Sequence, residues 1–320
     1  MLLDALIVLL ALALSGVLLA NLFPARTIAL GLAVARRVSG LQRKQILVDD
    51  LQWAYLDNDR KERPTILLVH GFGADKDSWI PYARALGHRY RVIAPDLPGF
   101  GEHLLDDTLD YTPRAQAQRL AALCNALGLA SVHVVGSSMG GYVSFWLALD
   151  AEELVTSLTL MNAAGVLGAH ASPMQLEVEQ GGNPLVVDTM PGLKRLLRSI
   201  VYRPMHLPRF VLRFLLSEYR RRGPLLDRIF WATFGAHLQD RLIERLATLK
   251  APTLIVWGDR DAIIDVSCAR AMHAAIPRNE LLILSDVGHC PMLEAPKATA
   301  SAQARLIAHA ERERAKNSGL

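Results

Sequence analysis

The chain has 320 residues, of which 51% are hydrophobic and 21% are charged, and its formal net charge is +4. This composition excludes a mainly disordered chain, and the small net charge argues against nucleic acid as the main partner. The three cysteines, Cys124, Cys268 and Cys290, are odd in number and far apart, which argues against a disulfide framework and against a C-x-x-C zinc pair and favours a reducing compartment. The length suits one large α/β domain with an insertion.

Residues 2–22 are almost wholly apolar, and the exceptions are Asp4, Ser15, Gly16 and Asn21. About 20 helical residues span the hydrocarbon core of a bilayer. A cleaved signal peptide would carry positive charge before its apolar stretch, but no Lys or Arg precedes Arg26. A buried core helix would usually show a polar face, and this segment has none. We therefore expect a transmembrane anchor.

Basic residues follow this apolar segment at Arg26, Arg36, Arg37, Arg43 and Lys44. The positive-inside rule then places the following domain in the cytoplasm. Residues 27–35 are apolar but too short to span a membrane, so we interpret them as an interfacial segment with Arg36 and Arg37 at the lipid headgroups. The anchor and the juxtamembrane segment together are expected to cover residues 1–44.

From residue 45 onward, short apolar runs alternate with helical stretches. An opening hairpin is predicted at 46–48 and 53–56, and further strands are predicted at 65–69, 91–95, 131–135, 158–161, 253–257 and 281–284. Helices are predicted at 77–87, 113–128, 139–149, 265–275 and 297–314. Continuous apolar strands that alternate with helices are typical of a mostly parallel, doubly wound α/β sheet. Ligands bind such sheets at the carboxyl ends of the strands.

The alternation stops between residues 166 and 248, where the sequence predicts several helices broken by prolines and no strand. Residues 166–245 contain twelve Lys or Arg against seven Asp or Glu, a balance of +5. Two interpretations remain open for this stretch. It either packs on the core as a lid without a lipid-binding role, or presents a basic amphipathic surface that binds anionic lipid and lets an acyl chain enter.

The motif Gly136-x-Ser138-x-Gly140 follows the predicted strand at 131–135 and opens a predicted helix. Such a tight strand-to-helix turn needs glycines and holds its serine in a strained conformation above the sheet. A serine hydroxyl becomes an effective nucleophile when a base removes its proton. We therefore predict Ser138 as the nucleophile. The alternative is a glycine-rich turn in which Ser137 or Ser138 only caps the helix.

The sequence HGFG at 70–73 stands where the predicted strand at 65–69 ends. A loop of this type contributes one donor to an oxyanion hole, here the backbone N–H of Phe72. The residue after the nucleophile, Met139, is expected to supply the second backbone N–H. The imidazole of His70 is expected to bind loop backbone instead of substrate. The glycines assigned to this site are Gly71, Gly136 and Gly140.

Among ten histidines, His289 is the predicted base because it lies in a loop after the strand at 281–284. The sequence GDRD places Asp259 and Asp261 at the end of another strand, and Asp261 is the preferred acid. Asp259 is expected to cap or to pair with a neighbour. Asp286 is only three residues from His289 and is expected to shape its loop. The acid would hold the imidazole tautomer and stabilise the imidazolium.

The order Ser138, Asp261, His289 is the chain order of α/β-hydrolases. With HGFG at 70–73, DLPGFG at 96–101, GSSMGG at 136–141 and GDRD at 258–261, the sequence resembles the α/β-hydrolase superfamily over residues 65–300. The N-terminal anchor, the SMGG elbow and the HGFGADKDSW segment are similar to membrane-associated monoacylglycerol lipases of this superfamily and to their bacterial lipase relatives.

The resemblance implies an α/β-hydrolase core at 45–165 and 249–320, a helical cap (lid) at 166–248 and a triad of Ser138, Asp261 and His289. It implies a serine carboxylester hydrolase that cleaves lipid esters such as monoacylglycerols without a metal or organic cofactor. The expected partners are a lipid or other ester substrate and a membrane, met through residues 2–22 and the basic lid, but no nucleic acid.

One departure from the family pattern concerns substrate shape, because Glu102 and His103 follow DLPGFG where many relatives carry serine. Alternative functions on the same fold are C–C bond hydrolysis, hydrolysis of small esters and perhydrolysis. A non-catalytic binding protein is the alternative from another class, and an intact triad argues against it.

Overall fold

The computed structural model describes residues 18–235 and 242–317. The predicted transmembrane segment at 2–22 lies mostly outside these residues. Within the described ranges, no helix is both long enough and apolar enough to cross a bilayer. The three cysteine side chains are free and buried.

Eight strands form one sheet in the order β1-β2-β4-β3-β5-β6-β7-β8. The first hairpin is antiparallel and pairs antiparallel with β4, and the remaining neighbours are parallel. The predicted α/β architecture with a mostly parallel sheet is therefore confirmed. The strands are β1 Gln42–Val48, β2 Leu51–Asp57, β3 Thr65–Val69, β4 Arg91–Pro95, β5 Val132–Ser137, β6 Val155–Met161, β7 Thr253–Gly258 and β8 Asn279–Leu284.

Helices pack against the sheet and lead from strand to strand. Their bounds are α1 Pro24–Val38, α2 Ile80–Leu86 after a 3₁₀ turn at Lys76–Trp79, α3 Pro113–Ala126, α4 Met139–Asp150, α5 Pro173–Glu179, α6 Met190–Ile200, α7 Arg209–Phe234, α8 Leu242–Leu246, α9 Ser267–Ala275, α10 Pro291–Glu294 and α11 Pro296–Asn317. A second 3₁₀ turn, Glu152–Leu154, precedes β6.

The central strands separate two apolar clusters because successive side chains of a strand point to opposite faces. In β3, Leu67 and Val69 belong to one cluster, and Ile66 and Leu68 belong to the other. All four side chains are fully buried, which explains why this strand is a continuous apolar run. The strands β3, β5, β6 and β7 are parallel neighbours, so the loops that follow them emerge at the same edge of the sheet.

The insertion between β6 and β7 contains the four helices α5 to α8, joined by loops, and its described residues include no strand. Pro173 and Pro191 each stand at the start of a helix, where a missing N–H costs nothing. Pro224 lies inside α7 without ending it, so the prediction that prolines break the helices of this insertion is wrong at that position. Buried apolar side chains after the proline support the helix despite the lost hydrogen bond, and they are Leu225, Leu226, Ile229 and Phe230.

Helix α1 lies on the body of the protein and presents two different faces. The side chain of Arg36 pairs with Asp77 at 2.5 Å, with 15% and 6% of the two side chains exposed. The expectation that Arg36 meets lipid headgroups is therefore wrong, whereas Arg37 is exposed. The outer face of α1 leaves Leu30 67% exposed and Val34 54% exposed.

Candidate active site

Ser138 lies on the sharp turn between β5 and α4, with φ 54° and ψ −123°. Such a positive φ is strained for a residue with a side chain, and strain of this kind persists only where its surroundings impose it. A Cβ atom at Gly136 would lie 2.3 Å from the carbonyl oxygen of Gly140, and one at Gly140 would lie 2.2 Å from that of Val69. Both glycines are therefore required by close backbone approach, as the motif predicts.

The loop after β3 packs directly against Ser138. A Cβ atom at Gly71 would lie 3.0 Å from Ser138 Cβ, so a larger residue would push the loop away from the serine. Phe72 follows Gly71, and Met139 is the first residue of α4. The two backbone N–H groups predicted as oxyanion donors thus belong to the two segments that flank the serine.

His70 is fully buried and holds this loop through both ring nitrogens. Its Nε2 accepts the N–H of Leu97 at 2.9 Å, so Nδ1 carries the proton and donates to the carbonyl oxygen of Gly71 at 2.9 Å. Burial lowers the pKa of His70, which keeps the ring neutral at neutral pH. The imidazole binds loop backbone, in agreement with the expectation from the sequence.

His289 and Asp261 form a buried pair at the carboxyl edge of the sheet. The distance between His289 Nδ1 and Asp261 Oδ2 is 2.8 Å, with 8% and 0% of the two side chains exposed. The other carboxylate oxygen, Oδ1, accepts the backbone N–H groups of Ile263 at 2.8 Å and Ile264 at 3.1 Å. This contact leaves Nε2 of His289 as the nitrogen that can serve as a base.

The other two carboxylates considered from the sequence do not reach His289. Asp259 accepts the backbone N–H of Asp286 at 2.8 Å, and Arg260 lies 3.8 Å from Asp259 and 3.9 Å from Asp286. Asp259 therefore braces the loop that leads to His289. The structure brings Asp261, and neither of the others, to the histidine.

Asn162 is a residue of this site that the sequence analysis missed. It follows β6, and its Nδ2 donates to Asp261 Oδ2 at 2.5 Å. The sequence signal for Asn162 was its position as a polar residue directly after the apolar run at 158–161. The end of this strand lies at the same sheet edge as the ends of β5 and β7, which carry the predicted nucleophile and the predicted acid.

An apolar cavity opens beside Ser138 and extends under the insertion. Its walls include the side chains of Met174, Val178, Leu185, Phe230, Phe234 and Ile263. No charged side chain is among the residues that the structure describes as lining it. Such a lining suits an apolar part of a substrate, because it has no charged partner that could compensate a charged group for its lost hydration.

Glu102 and His103, the departure from the family pattern, belong to a polar cluster around the buried side chain of Lys76. Lys76 is 1% exposed, and its Nζ lies 2.8 Å from Asp96 and 2.9 Å from Glu102. Hydrogen bonds from Arg43 and Lys76 lower the pKa of Glu102 to about 2. His103 is buried and bonds the carbonyl oxygen of Asp96 at 3.0 Å. The cluster fastens the 96–103 loop to the segment that follows the HGFG turn.

Comparison with known proteins agrees with this architecture. A family model described as alpha/beta hydrolase fold matches residues 64–296. Lipase 1 of Psychrobacter immobilis is 35% identical over 268 residues, which cover 83% of this chain and 84% of the relative. A monoacylglycerol lipase of Xenopus laevis is 29% identical over 290 residues, or 87% and 86% of the two chains.

Among solved structures, a membrane phospholipase A described as a novel bacterial virulence factor has a TM-score of 0.85 and 36% identity, and the match covers 97% of this chain and 98% of the other. A 2-hydroxy-6-oxo-6-phenylhexa-2,4-dienoate hydrolase from Rhodococcus has a TM-score of 0.69 at 23% identity, covering 83% and 98%, and this likeness concerns the fold alone. The chain belongs to the α/β-hydrolase family and is a carboxylester hydrolase of its lipase and esterase type.

Proposed function

We propose that this protein is a membrane-associated serine hydrolase that cleaves lipid esters such as monoacylglycerols, with Ser138, Asp261 and His289 as its triad. The observation that carries the proposal is the buried contact between His289 and Asp261 at the sheet edge where Ser138 stands on a strained turn. The apolar cavity beside Ser138 supports an acyl chain as the group that it accommodates.

In the proposed mechanism, Nε2 of His289 takes the proton of Ser138 while Oγ attacks the ester carbonyl carbon. The backbone N–H groups of Phe72 and Met139 stabilise the negative charge that develops on the carbonyl oxygen. The C–O bond then breaks, and the alcohol leaves with the proton from His289. Water, deprotonated by the same imidazole, hydrolyses the acyl-enzyme and releases the fatty acid. Asp261 keeps Nδ1 protonated throughout.

The insertion at 166–248 is proposed to act as a lid over the acyl chain. Phe230 and Phe234 of α7 pack edge-to-face on the ring of Phe72, whose backbone N–H is a proposed oxyanion donor. Because these rings contact one another, movement of α7 would change access to Ser138. This arrangement favours the interpretation of the insertion as a substrate-covering element.

C–C bond hydrolysis on the same fold is less well supported. The Rhodococcus hydrolase is named for a dienoate substrate, which carries a carboxylate group. The described lining of the cavity beside Ser138 has no Lys or Arg to pair with such a group. An uncharged acyl chain therefore fits the cavity better than an anionic diketone does.

The test of substrate class is hydrolysis of monoacyl esters that range from acetate to stearate. We expect the highest kcat/KM with medium or long acyl chains, because each methylene buried in the cavity contributes about 0.8 kcal/mol. Ester hydrolysis is measured with the full chain in detergent micelles. A maximum at acetate or butyrate would contradict a lipid substrate and indicate a small-ester hydrolase.

Membrane association is proposed to rest on residues 2–22 and to be strengthened by α1, whose outer face exposes Leu30 and Val34 beside Arg37. The positive-inside rule then places the catalytic domain in the cytoplasm. We expect the full chain to sediment with membranes after a high-salt wash, and a chain that lacks residues 1–22 to remain in the supernatant. Sedimentation of the shortened chain would instead assign the attachment to α1 or to the basic insertion.

A further inference from the structure

Asn162 stands between the strands that carry the nucleophile and the acid. It follows Met161, the last residue of β6, and β6 lies between β5 and β7 in the sheet. The residue is fully buried and has a φ of 45°. Asparagine tolerates this left-handed conformation better than most residues that have a side chain. The conformation therefore places a buried amide at the edge of the sheet.

This single amide contacts the segments that carry the acid and the base. Its Nδ2 donates to Asp261 Oδ2 at 2.5 Å and to the carbonyl oxygen of Gly288, the residue before His289, at 3.3 Å. Its Oδ1 accepts the backbone N–H of Gly258 at 3.4 Å. The loops after β7 and β8 are thus joined through one side chain.

The backbone around Asn162 also holds the nucleophile. The N–H of Ser138 donates to the carbonyl oxygen of Met161 at 3.0 Å, and the N–H of Ala164 donates to that of Ser138 at 3.0 Å. The N–H of Asn162 itself donates to Val256 at 3.0 Å. The segment 161–164 therefore touches the segments of all three proposed triad members.

We propose that Asn162 is a positioning residue that orients the carboxylate of Asp261 toward His289. This inference rests on the proposed function. Rotation about the last side-chain bond of an aspartate is broad, so neighbouring donors must fix the plane of the carboxylate. Two backbone N–H groups hold Oδ1, and the Asn162 amide occupies the position on Oδ2 beside the histidine. Without the amide, Oδ2 loses a donor and the carboxylate turns away from Nδ1.

The test is Asn162→Gly in the full chain, because glycine adopts a φ of 45° without strain and removes the side chain that carries the amide. We expect kcat to fall about 10- to 100-fold, as is typical when the support of a catalytic group is lost. KM for the ester should stay within about twofold, because uniform binding is unchanged. Asn162 is not among the described lining residues of the apolar cavity. A value of kcat equal to that of the wild type would overturn the proposal.

Asn58→Gly is the matched control. Asn58 also joins chain segments through its amide, donating to the carbonyl oxygen of Tyr90 at 3.0 Å and accepting the N–H of Val92 at 3.0 Å, but it lies in the loop after β2. We expect this variant to lose stability and to keep kcat. If kcat falls in proportion to the loss of melting temperature in both variants, Asn162 is only structural and the proposal fails.

A double variant tests whether Asn162 acts through Asp261. Adding Asn162→Gly to Asp261→Asn should lower kcat by less than about threefold, because residues that act as a unit are strongly non-additive. A full further loss would show independent action and overturn the proposal. If the glycine variant does not fold, Asn162→Asp replaces it and should lose at least as much kcat at neutral pH, because a second carboxylate cannot donate to Oδ2.

Failure of the proposed function would be recognised separately. A wild-type chain that neither reacts with a fluorophosphonate nor hydrolyses esters would overturn the function and this inference together. A wild-type chain that does both, beside an Asn162→Gly variant with the same kcat, would overturn only the role of Asn162.

Discussion

Replacing Ser138 with alanine is expected to abolish ester hydrolysis and labelling by a fluorophosphonate while leaving the fold intact. The substitution removes the hydroxyl that would form the acyl-enzyme, and loss of the nucleophile in comparable triads costs about 10⁶-fold in kcat. The fold should survive because Ser138 already adopts its φ of 54°, and alanine adds no atoms to the turn. Initial rates, labelling and the melting temperature are measured on the full chain.

Ser137→Ala is the matched control for this experiment. Ser137 is the last residue of β5 and is also buried, but within the described part of the chain its Oγ makes one long contact, of 3.9 Å, with the sulfur of Met292. We expect its kcat to stay within about threefold of the wild type, since substitutions away from a critical interaction have small effects. Loss of labelling in Ser137→Ala, with labelling retained in Ser138→Ala, would move the nucleophile by one residue.

The strands of the fold were predictable where burial is two-sided. The predicted runs at 65–69 and 91–95 have the same bounds as β3 and β4, and the side chains of residues 66–69 and 92–94 are buried in one or the other of the two cores. The first strand was predicted from 46 but begins at Gln42. Its early residues are polar because an edge strand faces solvent, so pairing with β2 and not burial determines its length.

The site was predictable to the extent that it follows local motifs. The turn at Ser138 needs glycines at fixed spacing, and the loops of Asp261 and His289 each follow a recognisable strand. Asn162 has no such spacing, since its contact with Asp261 joins residues 99 positions apart in the chain. Only the sheet order brings the ends of β6 and β7 together, and that order is a property of the folded chain.

The same reason applies to Arg36. The apolar stretch at 27–35, interpreted as an interfacial segment, lies within α1, and the side chain of Arg36 contacts Asp77 across 41 positions of the chain. Arg36 was assigned to lipid headgroups because it follows an apolar stretch, but its partner is the carboxylate of Asp77. The ion pair between Arg36 and Asp77 holds α1 against the segment after the HGFG turn. Lys76, in the same segment, is buried and forms ion pairs with Asp77 and Asp96.

Asp261→Asn is expected to lower kcat by about 10⁴-fold, the effect of the equivalent substitution in a well-studied serine protease. The reason is specific to the contacts of Asp261. Its Oδ1 accepts two backbone N–H groups, whereas its Oδ2 accepts one N–H from Asn162, so the oxygen of an asparagine would remain at the Oδ1 position and its NH₂ would face His289. A donor at that position forces Nδ1 to lose its proton and Nε2 to carry it. The imidazole then cannot accept the proton of Ser138.

Asp259→Asn is the matched control because it makes the same chemical change two residues earlier. The side chain of Asp259 is 33% exposed and accepts the N–H of Asp286, which an asparagine oxygen can also accept. We expect its kcat to stay within about threefold of the wild type. The two variants are compared by kcat, KM and melting temperature under identical conditions. If Asp259→Asn loses the larger factor, the acid of the triad is Asp259, and the contact between His289 and Asp261 would then serve only to hold the loop.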